Sequence, residues 1–496
     1  MWRTHPLPRG SGVATTASRT RCRAAVFLSV PFVLAACPGL RATPQVSVST
    51  AMAAAHPVVI IPGILGSKLE DSRNGRVVWG KIFDLRALTV HQSLVQPSAG
   101  GFDGLELPFD SLDFRADRDH LVPTTIMDSF TIIPHIAEVK VYRKLLEALA
   151  VCGYRPGPIQ RCGLHANAAV FAYDWRRDIV ESAQKLAARI REIQANTGDP
   201  TTTVDIVAHS MGGLIAEYYL LYGDVDVLDR DPLPPPTYAG AANVRRVILL
   251  GEPNEGSLEA LRDLHEGYRV GFRRVSNLAT FTMPAIYELL PAGAAVRLVD
   301  SSGRTTDLDL FDPQTWQRYG LGVFSPPSRR GFLHECQLLY PANWQARSHE
   351  ISGQLVTFLG GALKRAQRLH AALSPFATDP PPTDVYIIGS ASRATLAGAE
   401  VRPASPGWRL VFGSTSWGRG PRTLAPAPGD GTVTATSLTW GRFRPTGRDR
   451  ARRSGTAAGF PVDWVDEEHA RLPANDEVLA RIVAILARPT DCTARH

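Results

Sequence analysis

The stretch that most constrains this chain is Val204 to Gly213, VDIVAHSMGG. An apolar β-branched run, a serine, and then Ile215, Tyr218 and Tyr219 at helical spacing read as a buried strand, a sharp turn and a helix. The turn puts Ser210 in a strained backbone conformation, so the residues two before and two after it must be small: Ala208 and Gly212. Strain of this kind lifts the hydroxyl clear of the sheet. It also turns the next backbone N–H groups, at Met211 and Gly212, toward whatever the serine attacks, and the helix N-terminus adds positive potential there. Five residues also describe an ordinary strand-to-helix turn with an incidental serine, and Ala208 stands where glycine is usual. The rest of the chain decides between the two.

Other segments have the same architecture. His56 to Gly66, HPVVIIPGILG, is a continuous apolar run stopped by Pro62 and Gly63, as in a strand buried on both faces of a parallel sheet. The loop after it offers backbone N–H groups at Ile64 or Leu65 that suit a second anion-stabilising donor; alone, PGILG is simply a tight turn. Tyr142 to Leu149 and residues 181 to 195 have helical spacing. Val170 to Asp174, Val244 to Gly251 and Val385 to Gly389 read as strands, and Glu477 to Leu486 as a closing amphipathic helix. The alternation predicts an α/β chain with a mostly parallel, doubly wound sheet. From Lys68 to about Pro134 regular periodicity is weak and Trp79, Phe83, Phe102 and Phe109 look exposed, which marks a lid at about residues 76–134. From Ser257 to about Asp384 the strand signal fades and helices take over, with MPAIYELLP in their midst, which marks an inserted cap at about residues 258–384. Asp174 and Arg176, in FAYDWRRD, read as ion-pair scaffolding.

Composition bounds the function classes. With 496 residues, 44% hydrophobic and 20% charged, the chain is globular and large enough for one elaborated domain, at residues 56–490. A formal charge of +7 supports at most a weak preference for anionic membrane surfaces; Arg442 to Arg453 reads as a solvated basic loop. No nucleic-acid module, zinc spacing or HExxH motif is present, so no nucleic-acid partner, metal or cofactor is expected. Arg19, Arg21 and Arg23 precede an apolar run, Val26 to Ala36, too short to span a bilayer. Residues 1–55 therefore read as an export leader and linker. LAAC at Leu34 to Cys37 resembles a bacterial lipobox, with Cys37 lipidated and membrane-anchored; an ordinary signal peptide of a secreted protein, or a start near Met52, are the alternatives. In an exported chain Cys152 and Cys162 form the pair to expect across a Gly/Pro-rich loop, while Cys336 and Cys492 either pair or stay free.

A serine at neutral pH needs a base within hydrogen-bond reach and an anion to orient that base. Both follow in the order this architecture uses, acid first and histidine last. Asp430 sits in GDGTV, and His469 sits in DEEHARLPANDEV just before the last helix. Asp307, Asp309 and Asp384 are fallback acids.

Taken together, PVVIIPGILGSKLED, FAYDWR, IVAHSMGG, LLGEPNEGS, GDGTV and the late His469 resemble the lecithin:cholesterol acyltransferase family, which includes lysosomal phospholipase A2. The resemblance implies an α/β-hydrolase fold with Ser210 as nucleophile, Asp430 as acid, His469 as base and Met211 with Ile64 or Leu65 as the oxyanion hole. It further implies acyl transfer from a phospholipid or other ester lipid at a membrane surface to water or a lipid alcohol. A lipase or esterase acting on glycerides or small esters, and a lipid-binding surface protein without turnover, are the competing expectations.

Overall fold

The computed structural model describes residues 56–80, 104–108, 119–127, 130–133, 137–139, 142–157, 167–270, 273–293, 295–405, 407–418, 424–443, 456–457 and 460–488. The leader with Cys37, Cys162 and Cys492, the aromatics Phe83, Phe102 and Phe109, and the basic segment from residue 444 onward lie outside them.

A seven-stranded sheet organises the molecule. Its strands are β1 (Val58–Ile61), β2 (Ala168–Val170), β3 (Val204–His209), β4 (Val244–Leu250), β5 (Asp384–Ser390), β6 (Thr456–Ala457) and β7 (Phe460–Val465), in the spatial order β6-β7-β5-β4-β3-β1-β2. Every neighbouring pair is parallel except the β6–β7 hairpin at the edge. All four residues of β1, VVII, are buried because the strand lies between β2 and β3 and is covered on both faces. Successive side chains go to opposite sides. Val59 and Ile61 join a core with Leu186 and Ile190 of α2 (Ile179–Thr197) and Leu214 and Ile215 of α3 (Met211–Tyr222). Val58 and Ile60 join a second core with Leu145 and Leu149 of α1 (Arg143–Val151) and Ile482 and Ile485 of α6 (Asp476–Leu486). Three layers, helix on sheet on helix, follow from that alternation.

Strand order fixes where a site can form. The chain leaves β1 for β2 on one side and returns past it to β3 on the other. In open α/β sheets, ligands bind at the carboxyl ends of the strands beside such a reversal.

Helix α3 is buried along all twelve residues. Its outer face is covered by the long helix α5 (Trp344–Leu373), where the Tyr222 hydroxyl donates to the Ala372 carbonyl at 3.0 Å. Arg365 of α5 ion-pairs with Asp178, the N-cap of α2, and with Asp226 at 2.9 Å. The last segment of the predicted cap is thus part of the main body's packing.

Two expectations about the insertions change. The predicted lid is more regular than its periodicity suggests: Ser67–Asp71, Arg76–Trp79 and Leu121–Ile126 form a three-stranded antiparallel sheet. Trp79 is buried, not exposed; its indole N–H donates to the Leu65 carbonyl at 2.9 Å and its ring meets Trp175 edge-on. The predicted cap also holds strands. Val296–Val299 and Thr305–Asp307 join Ala399–Pro403 and Trp408–Phe412 in a four-stranded sheet that crosses the expected boundary near Asp384. In each sheet one pairing joins short strands far apart in sequence, Ser67–Asp71 with Leu121–Ile126 and Val296–Val299 with Ala399–Pro403, which periodicity cannot reveal.

Asp174 and Arg176 behave as scaffolding. Arg176 is fully buried, donates from Nε to Asp174 at 2.9 Å, pairs with Asp119, and donates from Nη1 to the Leu105 carbonyl at 3.0 Å. One guanidinium therefore ties two separate pieces of the lid region to the end of β2.

Candidate active site

The turn after β3 has the strain its sequence implies. Ser210 has φ 55° and ψ −130° and caps α3, while its N–H donates to the Leu250 carbonyl of β4 at 2.9 Å. Close approach explains the small neighbours. A Cβ on Gly212 would lie 2.5 Å from the Pro62 carbonyl and 2.8 Å from that of Ile61, and one on Gly63 would lie 2.8 Å from the Ser210 Cβ. The loop after β1 and the serine turn after β3 thus pack backbone against backbone.

Asp430 and His469 reach the same place from the other side. Asp430 follows the hairpin arm Ala427–Gly429, which pairs with Arg393–Thr395 just past β5. Its Oδ1 accepts the N–H groups of Thr432 at 2.9 Å and Val433 at 2.7 Å, which leaves Oδ2 to accept from His469 Nδ1 at 2.8 Å. His469 opens a 3₁₀ turn, His469–Ala474, beyond β7, and its backbone N–H donates to the Asp430 carbonyl at 2.9 Å. The imidazole Nε2 lies 2.8 Å from Ser210 Oγ. Because Nδ1–H serves the carboxylate, Nε2 is the unprotonated nitrogen of the neutral ring and accepts from the serine hydroxyl. The fallback acids do not join this group: Asp307 pairs with Arg297, Asp384 sits at the opposite, amino end of β5 against Arg246, and Asp309 caps a turn at Phe311.

Gly251, just after β4, lies beneath the pair at φ +60°. A Cβ there would be 3.2 Å from both Asp430 Oδ2 and His469 Nδ1 and 2.7 Å from Leu472 Cδ1. Here glycine is required both by the backbone angle and by the space.

Ile64 and Leu65 occupy a tight turn closed by Gly66 N–H donating to the Gly63 carbonyl at 3.0 Å, with Leu65 at φ 63°. The N–H groups of Ile64 and Leu65 stay outside that internal bond. Met211 is the first residue of α3, where backbone N–H groups have no helical acceptor. Ile64 and Leu65 line the same cavity as Ser210, and Met211 follows it directly in the chain.

A cavity of about 310 Å³ opens over the serine. Val275, Met283, Ile286 and Leu289 supply apolar wall from the cap, and Ser257 ties the cap to the acid loop by donating to the Thr432 carbonyl at 2.6 Å. On the same wall, in helix α4 (Leu258–Glu266), Glu259 pairs with Arg262, while burial and the Glu259 charge push the Asp263 carboxyl well above the usual range.

Two buried residues that touch these loops, Tyr142 and His209, escaped sequence reasoning. Tyr142 precedes an amphipathic helix and His209 ends a strand, positions that carry no chemical signature of their own. Burial holds His209 neutral, its pKa well below the usual histidine value, and the neighbouring His469 lowers it further; burial also raises the Tyr142 phenol.

Strand order, elbow and carboxyl-end cavity define an α/β-hydrolase fold. The family resemblance read from the motifs holds: residues 122–319 match the model of the lecithin:cholesterol acyltransferase family. That range includes Ser210; Asp430 and His469 lie beyond it. Among curated proteins, the uncharacterized protein YJR098C of Saccharomyces cerevisiae is 23% identical over 286 residues, 57% of this chain and 36% of its own length. Phospholipase A(1) LCAT3 of Arabidopsis thaliana is 29% identical over 175 residues, 33% of this chain and 36% of its own length. The chain thus spans about a third of the length of these relatives. Of solved structures, a chain of the Tle4–Tli4 complex aligns with a TM-score of 0.49 at 15% identity, covering 88% of this chain and 99% of that one.

Proposed function

We propose that this chain is a serine-dependent acyl hydrolase and acyltransferase acting on ester lipids, with phospholipid as the acyl donor. The observation that carries the reading is the unbroken hydrogen-bonded order from Ser210 Oγ through His469 to Asp430, both contacts at 2.8 Å, at the floor of a largely apolar cavity. The family match and the phospholipase relative support an ester lipid as substrate.

In this reading His469 Nε2 takes the serine proton as Oγ attacks the ester carbonyl. The carbonyl oxygen becomes an anion held by the N–H of Met211 and that of Ile64 or Leu65. His469 then gives its proton to the departing alcohol, leaving acyl-Ser210. Water or a lipid alcohol then attacks the acyl carbonyl as it passes its proton to His469; the bond from the carbonyl carbon to Oγ breaks, His469 returns the proton to Oγ, and a fatty acid or a new ester leaves. Asp430 stays ionised throughout and steadies the imidazolium. The choice of acceptor follows from how well the lid region excludes water.

The test is to incubate purified protein with acyl-labelled phosphatidylcholine, with and without a sterol or long-chain alcohol, and separate the products. Lysophospholipid with free fatty acid is expected, and labelled ester when the alcohol is present. Turnover of triglyceride but not phospholipid moves the assignment to a lipase, and no turnover of any ester leaves binding alone. Export of the chain through residues 1–55, with Cys37 lipidated or removed, belongs to the same proposal; loss of radiolabelled palmitate incorporation in Cys37→Ala would support the lipidated form.

A further inference from the structure

Two tyrosines grip one peptide beside the serine turn. The Pro62 carbonyl accepts from the Tyr173 hydroxyl at 2.9 Å, and the Gly63 N–H, on the opposite edge of the same peptide plane, donates to the Tyr142 hydroxyl at 2.9 Å. Both tyrosines are buried, at 1% and 2% exposure. This peptide leads directly into the turn carrying Ile64 and Leu65.

The bonding then continues in a defined direction. The Gly63 N–H only donates, so the Tyr142 oxygen accepts it. The His469 carbonyl only accepts, so His209 Nε2, 3.0 Å away, carries the hydrogen. A neutral imidazole then has a bare Nδ1, which accepts the Tyr142 O–H at 2.9 Å. Gly63 N–H to Tyr142, Tyr142 to His209 and His209 to the His469 carbonyl form one chain with every donor and acceptor matched. It runs from the oxyanion loop, behind the serine turn, to the backbone of the residue that carries the base. The Tyr142 and His209 rings meet edge-on with centroids 5.9 Å apart, and those of His209 and His469 are 4.9 Å apart.

We propose that Tyr142, Tyr173 and His209 are positioning residues that lock the oxyanion loop after β1 to the His469 loop, so that donor and base stay in register about Ser210. None of the three is assigned a part in the chemistry of acyl transfer. They act through the peptide of Gly63 and the backbone of His469, neither of which is free to move while the chain is intact. The proposal rests on the serine-acylation reading above. Reorientation of the Pro62–Gly63 peptide displaces the donors of the next two residues, and a displacement on the ångström scale costs roughly 100-fold in rate.

Burst kinetics with a chromogenic p-nitrophenyl ester separate this role from a merely structural one, because burst amplitude counts competent sites and the steady phase gives turnover per site. For Tyr142→Phe and Tyr173→Phe, full burst amplitude with kcat per titrated site lowered about 10- to 100-fold and KM within about threefold is expected. Tyr142→Phe and His209→Phe interrupt the same chain, so their combined effect is expected to fall well short of the product of the two. Wild-type kcat per titrated site in Tyr142→Phe, whatever the amplitude, overturns the proposal, as does multiplicative behaviour of the pair. Failure of a fluorophosphonate to modify Ser210 of the wild-type protein instead sinks the acylation reading itself.

Discussion

A hydroxyl 2.8 Å from an imidazole becomes a nucleophile only if the ring cannot turn away, and three contacts hold it here. Asp430 Oδ2 accepts Nδ1–H, the Asp430 carbonyl accepts the His469 N–H, and Gly251 leaves no space beneath the pair. Ser210→Ala and His469→Ala are expected to fold normally by circular dichroism and to lose essentially all ester turnover. Asp430→Asn should lower kcat by about 10⁴-fold by favouring the wrong tautomer of His469; a loss below tenfold would show that the base is oriented by something else. Gly251→Ala tests the floor of the site. Its φ of +60° costs an alanine about 1–2 kcal/mol, and the new methyl lies within 3.2 Å of both members of the pair. Reduced kcat together with a small loss in denaturant midpoint is expected, and an unchanged kcat would contradict the packing.

At the scale of elements, helix α3, which Ser210 caps, carries a buried acid. Glu217 of α3 and Glu252, just after β4, lie against each other, fully buried, and a Cβ on Gly213 would touch the Glu252 carboxyl. Burial raises both, Glu252 to about 8 from an ordinary value of 4.5, with Glu217 raised further by the neighbouring acid. A carboxyl whose pKa is raised on folding contributes stability that is fully present below its unfolded value. That contribution is lost as pH rises through the folded value, here across the window from about 4.5 to about 8. The thermal midpoint of the wild type should therefore fall on the alkaline side, and Glu252→Gln, which keeps the shape without the charge, should flatten that fall; equal slopes for the two proteins would count against a buried acid pair. Arg176 is the corresponding test for the lid. Arg176→Ala leaves Asp174 buried without its guanidinium, and a loss of about 3–5 kcal/mol in denaturant unfolding is expected. A loss below about 1 kcal/mol would mean that the pairing contributes little.

Across the whole molecule, the site exists only because one sheet gathers residues 63, 210, 430 and 469 at the carboxyl ends of strands that the chain visits in the order β1, β3, β5, β7. Much of this was legible beforehand. Strand β1 is a continuous run of Val and Ile, and β3, β4 and β5 carry shorter blocks of Val, Ile and Leu, because neighbours cover both faces; the elbow, the GDGTV turn and the late histidine keep their order along the chain. Strand β7 was not legible. Its sequence, FPVDWV, mixes buried, half-buried and exposed residues beside the short edge strand β6, and Pro461 interrupts it. The two smaller sheets were missed because each depends on one pairing between strands far apart in sequence, and Trp79 looked exposed because nothing local announces the Leu65 carbonyl that receives its N–H. Tyr142 and His209 were missed for a related reason: each is ordinary in its own element and acquires a role only through the loops it joins. The most direct test is covalent labelling with a fluorophosphonate followed by peptide mass spectrometry. The account predicts one adduct, on Ser210, at a rate that collapses in His469→Ala; an adduct on another residue, or an undiminished rate without the imidazole, would contradict it.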